Sequence, residues 1–191
     1  MKNIVYIHGA NSSPRSFKYI QLSLPEHNIL NISYSVDTPL LKNANKIKNV
    51  IFEEFPEENV SIISHSLGGL IALKLHQYQR IEKIVTMASP FGGSRFIEYL
   101  RWICPGYQMF SDVKISSPII TDIKSTSYTK PILSIVTTSG GNPLMGEAND
   151  GTVTVKSQLA ATGPIYEKHN LNHFEVLLSD TIIERIKSFI F

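Results

Sequence analysis

Two serines, a histidine and two glycines stand together in VSIISHSLGGLIALKL, residues 60–75. Small and β-branched residues lead in, and a helical run follows, so Ser66 falls where a buried strand turns into a helix. In an open parallel sheet, ligands gather beyond the carboxyl ends of the strands. A sharp turn at such an end admits only small neighbours, and Ser64, Gly68 and Gly69 supply them. The turn lifts the Ser66 hydroxyl clear of the backbone. The start of the helix aims N–H groups and a positive dipole end at the same point. These features suit a serine nucleophile whose intermediate carries an oxyanion. The pattern is G-x-S-x-G with Ser64 in the first glycine position.

A serine hydroxyl reacts at neutral pH only with a base and an acid that orients the base. Of the six histidines, His76 is expected mid-helix and solvated, and His27 has no chemical context. His65 is expected to point away from Ser66, and His8 reads as a structural hydrogen-bonding residue. His169 and His173 both follow the last expected strand. His173, in a loop before a helix, is the better-placed base, with His169 its rival. The acid comes from GEANDGTVTV (146–155), where Asp150 is the candidate, Glu147 the rival and a plain Asn-Asp-Gly turn the alternative reading. The order Ser66, Asp150, His173 is the chain order of this triad on a parallel α/β sheet. One oxyanion donor is expected from the backbone N–H of Leu67. The other comes from the IHGAN loop, where Gly9 allows close approach and Ala10 or Asn11 supplies the N–H.

The elements that must hold these residues are legible as a strict alternation. Short apolar runs predict strands over 3–9, 27–35, 59–64, 81–89, 130–138 and 163–170. Helices are predicted after Ser13-Pro14, along DTPLLKNANKIKNVIFEEF with one apolar face, over 67–80, and along TIIERIKSFIF, where Thr181 and Glu184 form a capping box. This predicts an α/β domain with a mostly parallel sheet and helices on both faces. No repeat or linker divides residues 1–191, which read as a single domain. Residues 91–129 interrupt the alternation and hold seven of the eighteen aromatic side chains, so they are expected to form a small cap or lid.

The formal net charge of +2, with no Lys/Arg cluster, argues against a nucleic-acid partner. Cys104 is the single cysteine, which rules out an internal disulfide and suggests a buried thiol. No run is long enough to span a membrane, and the apolar stretch near the N-terminus is too short for a signal peptide, so a cytoplasmic location is expected.

Taken in order, IHGAN, SHSLGG, MASPFGGS, NDGTVTVKSQ and HFEVLLSD resemble an α/β-hydrolase over nearly the whole chain, and within that superfamily the small lipase/esterase branch. MASPFGGS and CPGYQMFSDVKISSPIITDI are similar to elements of bacterial lipases and glycosylphosphatidylinositol-inositol deacylase relatives. The resemblance implies Ser66 as nucleophile, His173 as base, Asp150 as acid, and Ala10 and Leu67 as oxyanion donors. It also implies a minimal α/β-hydrolase fold with a sheet of six strands and a small cap, needing no metal or organic cofactor. The activity it implies is hydrolysis of a lipid or acyl carboxylic ester. A thioesterase or acyltransferase, an amidase, and a non-catalytic binding protein on the same fold are the alternatives.

Overall fold

The computed structural model describes residues 1–94 and 108–191. Among them, six strands form one sheet: β1 (Lys2–Ile7), β2 (His27–Ile32), β3 (Val60–His65), β4 (Ile81–Met87), β5 (Ile132–Thr137) and β6 (Ile165–His169). Their order is β2-β1-β3-β4-β5-β6, and every neighbouring pair is parallel. The helices are α1 (Lys18–Ser23), α2 (Leu40–Glu54), α3 (Leu67–Leu75), α4 (Gln108–Asp112), α5 (Pro118–Ser125), α6 (Val155–Gln158) and α7 (Asp180–Ile190).

The alternation of side chains along each inner strand feeds two cores, one on each face of the sheet. In β1, Val5 and Ile7 enter the core under α2, α3 and α5, while Ile4 and Tyr6 enter the core under α1 and α7. In β3, Val60 and Ile62 take the first side and Ile63 the second. Each such side chain, fully buried, contributes roughly 1.5–3 kcal/mol relative to exposure. Strands buried on both faces therefore read as unbroken apolar runs, which made them visible in the sequence.

The structure departs from the sequence reading at two helix ends. α3 stops at Leu75 rather than continuing to residue 80, and His76 leaves the helix and packs edge-on against Tyr128 at 4.6 Å. The Lys130 ammonium donates to the carbonyls of Tyr78 and Ile81, so side-chain donors replace the N–H groups a longer helix would offer. His76 is thus half-buried and not solvated. The expected Thr181–Glu184 capping box does not form. α7 begins one residue before Thr181 with Ser179 at its N-cap, and Glu184 lies 3.6 Å from Lys187 instead. Asp180, in the first turn, accepts a 2.6 Å hydrogen bond from the Tyr19 hydroxyl, which ties the helix start to α1.

The expected cap over 91–129 falls partly on 95–107, with Phe96, Tyr99, Trp102, Cys104 and Tyr107, and these lie outside the described residues. In the remainder, Phe91, Phe110 and Tyr128 are buried, Phe91 and Tyr128 in the core that α2 and α3 share. Asp112 accepts the first backbone N–H of α2, from Leu40, at 2.7 Å, which fastens α4 to that helix. Among the described residues, no helix is long and apolar enough to cross a membrane.

Candidate active site

Everything in the site hangs on the carboxyl ends of β1, β3, β5 and β6. β3 ends at His65, and the next residue, Ser66, has φ 51° and ψ −123°. This left-handed conformation is strained for a residue with a side chain. It is held from both sides, because the Ser66 N–H donates to the Met87 carbonyl at 2.8 Å and its own carbonyl accepts the Gly69 N–H at 3.0 Å. Gly68 is required for a separate reason. A Cβ there would lie 2.2 Å from the Ile7 carbonyl oxygen, so only glycine lets α3 pass so close to the end of β1. The departure at Ser64 has a physical account: its hydroxyl is buried and donates to the Val85 carbonyl at 3.0 Å on the neighbouring strand.

His173 reaches this turn from the loop after β6. Its Nε2 lies 3.0 Å from Ser66 Oγ and its Nδ1 lies 2.8 Å from Asp150 Oδ2. A carboxylate accepts only, so Nδ1 carries the proton and Nε2 is the acceptor for the serine hydroxyl. The three side chains named from the sequence are thus in one continuous hydrogen-bonded row. His173 is 4% exposed and Asp150 1%. The rivals are elsewhere: His169 ends β6 with its ring 4.0 Å from Glu167, and Glu147 is exposed.

The Asp150 carboxylate is densely satisfied. Oδ1 accepts the N–H groups of Thr152 at 2.9 Å and Val153 at 2.7 Å; Oδ2 accepts the Thr137 hydroxyl at 2.5 Å. Burial by itself raises this carboxyl, but the hydrogen bond and charge of His173, the Thr137 hydroxyl and the Val153 N–H outweigh it, and the group sits below its ordinary range. Asn149 staples the loop from within, donating to the carbonyls of Asn142 and Glu147 and accepting the N–H groups of Asn142 and Gly151. The Asn-Asp-Gly sequence does make a turn, and the turn presents the Asp150 carboxylate to His173. Thr137 and Gln158 were not foreseen. Gln158 pairs with both backbone groups of Thr137, at 2.9 Å each, so the last residue of β5 and α6 share the task of holding Asp150.

The IHGAN loop lies against the same turn. A Cβ on Gly9 would stand 3.0 Å from Ser66 Cβ, which places the Gly9–Ala10 segment directly beside the serine. His8 Nδ1 donates to the Gly9 carbonyl at 2.7 Å. The peptide is trans, so its Ala10 N–H points to the side opposite that carbonyl. His8 stacks on Tyr34 at 4.6 Å, and the Tyr34 hydroxyl donates to the His8 carbonyl at 2.7 Å. Burial lowers the His8 imidazole and raises the Tyr34 phenol, so both remain neutral donors. Leu67 is the first residue of α3, and its N–H has no acceptor within the helix.

His65 is the largest surprise of the site. Its side chain turns toward the base loop, where Nε2 donates to the His173 carbonyl at 2.8 Å. Burial, reinforced by the charge that His173 can carry, pushes this imidazole down to about 3. No sequence period signals a bond across 108 positions. Phe174 stands edge-on to the His173 ring at 5.2 Å and is 64% exposed, an apolar surface at the mouth of the site. Among the described residues, no group of three or more His, Cys, Asp or Glu is arranged to hold a metal ion.

A parallel sheet in this strand order, with a strained serine after its third strand in sequence, defines the α/β-hydrolase fold, and the chain has that fold. Residues 3–92 match the family described as Uncharacterised protein family (UPF0227), a stretch that carries Ala10, Ser66 and Leu67 and stops short of Asp150 and His173. No curated protein matches the sequence. Among solved structures, a metagenomic carboxyl esterase, MGS0156, superposes with a TM-score of 0.75 at 16% identity over 90% of this chain. The chain spans 64% of that esterase's length. The mature lipase BlEst2 of Bacillus licheniformis superposes with a TM-score of 0.65 at 14% identity, covering 97% of this chain and 91% of its own. An extracellular α/β-hydrolase from a Paenibacillus species gives a TM-score of 0.65 at 13% identity over 99% of both chains.

Proposed function

We propose that the protein is a serine hydrolase that cleaves a carboxylic ester through an acyl-enzyme on Ser66. The observation that carries this reading is the row Asp150–His173–Ser66, with contacts of 2.8 and 3.0 Å, ending on a serine held at positive φ. In the first half-reaction, the Ser66 hydroxyl proton passes to His173 Nε2 as Oγ bonds to the substrate carbonyl carbon. The resulting oxyanion is met by the N–H groups of Ala10 and Leu67, each worth on the order of 10²–10³ in rate in such sites. Asp150 holds the Nδ1–H tautomer and balances the imidazolium. Collapse breaks the bond to the leaving alcohol, which takes the proton from Nε2. Water then repeats the sequence on the acyl-enzyme, with the proton passing through His173 and back to Ser66. This chemistry uses side chains and backbone alone, with no metal or organic cofactor.

An ester with an apolar acyl or alcohol part suits the exposed Phe174 beside the base. The carboxyl esterase and lipase among the fold neighbours support the same substrate class. The test is turnover of p-nitrophenyl esters of increasing chain length. Ser66→Ala is expected to abolish turnover and labelling by a fluorophosphonate probe while the fold persists. Turnover that survives this substitution would remove Ser66 from the reaction.

A further inference from the structure

We infer that His65 is a positioning residue for the reacting pair: its Nε2–H, bound to the His173 carbonyl, locks the base loop to the nucleophile turn. The inference rests on the reading that Ser66 and His173 carry the reaction.

His173 has four polar groups, and each is engaged. Its N–H donates to the Asp150 carbonyl at 3.0 Å, its carbonyl accepts from His65, Nδ1 meets Asp150, and Nε2 meets Ser66. Two of the four run to the Asp150 loop. The bond to the His173 carbonyl comes from His65, the last residue of β3, whose backbone is paired with Met87 in the middle of the sheet. His65 is also one peptide bond from Ser66. A single hydrogen bond therefore closes a short ring through Ser66 and His173, and the separation of Oγ and Nε2 no longer depends on the long path through β4, β5 and β6.

The imidazole is wedged between two loops. Its ring centre is 4.8 Å from that of His173, with the planes inclined at 53°. On its other side, a Cβ on Gly9 would stand 3.2 Å from Nδ1. The same ring thus packs against the base loop and the segment that presents the Ala10 N–H.

The choice of histidine is not explained by packing. A carbonyl accepts only, so Nε2 carries the proton and Nδ1 is a bare acceptor. Among the described residues, the buried Nδ1 has no hydrogen-bond partner. A buried acceptor left unsatisfied is a loss of stability that a leucine or phenylalanine at this position would not incur. The Nε2–H is the group that either would lack.

The experiment compares His65→Leu, His65→Gln and the wild type on a short-chain p-nitrophenyl ester, with the melting temperature of each. Misplacement of reacting groups by about 1 Å lowers rate by on the order of 10²-fold. His65→Leu is expected to lower kcat by about 10- to 100-fold on that basis. KM should change by less than about threefold, because the bond acts on the base and not on substrate binding. The melting temperature should stay within about 4 °C of the wild type. His65→Gln, whose side-chain amide can donate to the same carbonyl, should recover most of the lost kcat. A folded His65→Leu with wild-type kcat would overturn the inference. So would a His65→Gln as slow as His65→Leu at equal melting temperature. If His65→Leu does not fold, His65→Phe takes its place. Failure of both beside a folded, active His65→Gln would make the donor a requirement of the fold and also overturn the inference. The Ser66→Ala control separates the two readings. Turnover that survives it removes the proposed function, whereas turnover that dies with it but ignores His65→Leu removes only the role of His65.

Discussion

At the amino ends of the strands, polar side chains meet as ion pairs and carbonyl contacts near water; at the carboxyl ends they meet as buried hydrogen bonds around one carboxylate. Lys2, the first residue of β1, and Glu82, the second of β4, lie 3.3 Å apart with side chains 35% and 38% exposed. Lys83 and Lys130 donate to carbonyls at the same end. At the other end Ser64, His65, Thr137, Asp150, Gln158 and His173 are all buried. The backbone differs too. The described non-glycine residues at positive φ are Asn11, Ser66 and Ala88, and all three follow the carboxyl ends of β1, β3 and β4. One end is built with flexible charges that water can replace. The other is built with fixed hydrogen-bonding groups around one buried carboxylate, and displacing any of them leaves an unsatisfied partner.

The contrast can be broken by substitution. The largest effect is expected at the base: His173→Ala should lower ester turnover on the order of 10⁴-fold or more, measured as kcat/KM. Asp150→Asn follows, with a loss on the order of 10³–10⁴-fold, because an amide can select the wrong tautomer of His173. Thr137→Val, which removes one of several donors to Asp150, should cost about tenfold, a little over 1 kcal/mol of transition-state stabilisation.

The fourth expectation concerns acid. His65 is held neutral in the fold down to about 3, whereas its unfolded value is the ordinary 6.5. Between these values the unfolded chain binds the extra proton, so stability is lost as pH falls from about 6.5 toward 3. His65→Leu should flatten urea-derived stability over that window, and an unchanged slope would show that other groups set it. The smallest effect belongs to the amino ends. Lys2→Ala and Glu82→Ala should change stability by less than about 1 kcal/mol and leave kcat unaltered. A loss of turnover there as deep as that of Asp150→Asn would erase the distinction between the two ends.

What the sequence disclosed follows from the range of the forces involved. β1, β3, β4 and β5 are apolar runs because both faces of a central parallel strand are buried, and each was legible within a few residues of its ends. Ser66 was legible because a tight strand-to-helix turn restricts its neighbours locally. Asp150 and His173 could be chosen because chain order and loop position limited the candidates. The partners of those residues were not legible. Thr137 bonds Asp150 across 13 positions and His65 bonds His173 across 108, and neither contact has a period or a turn chemistry to announce it. The end of α3 is not legible for the same reason, since the donor to the Tyr78 and Ile81 carbonyls sits far along the chain at Lys130.

The φ of 51° at Ser66 implies that folding and the proposed chemistry pull in opposite directions at this position. Glycine adopts such a backbone without hindrance, so Ser66→Gly should melt a few degrees above the wild type while hydrolysing nothing. The tension lies in the backbone and not in the hydroxyl, so Ser66→Ala would keep it and gain far less. If Ser66 carries the proposed reaction, a selection for thermal endurance alone would then drift toward loss of turnover.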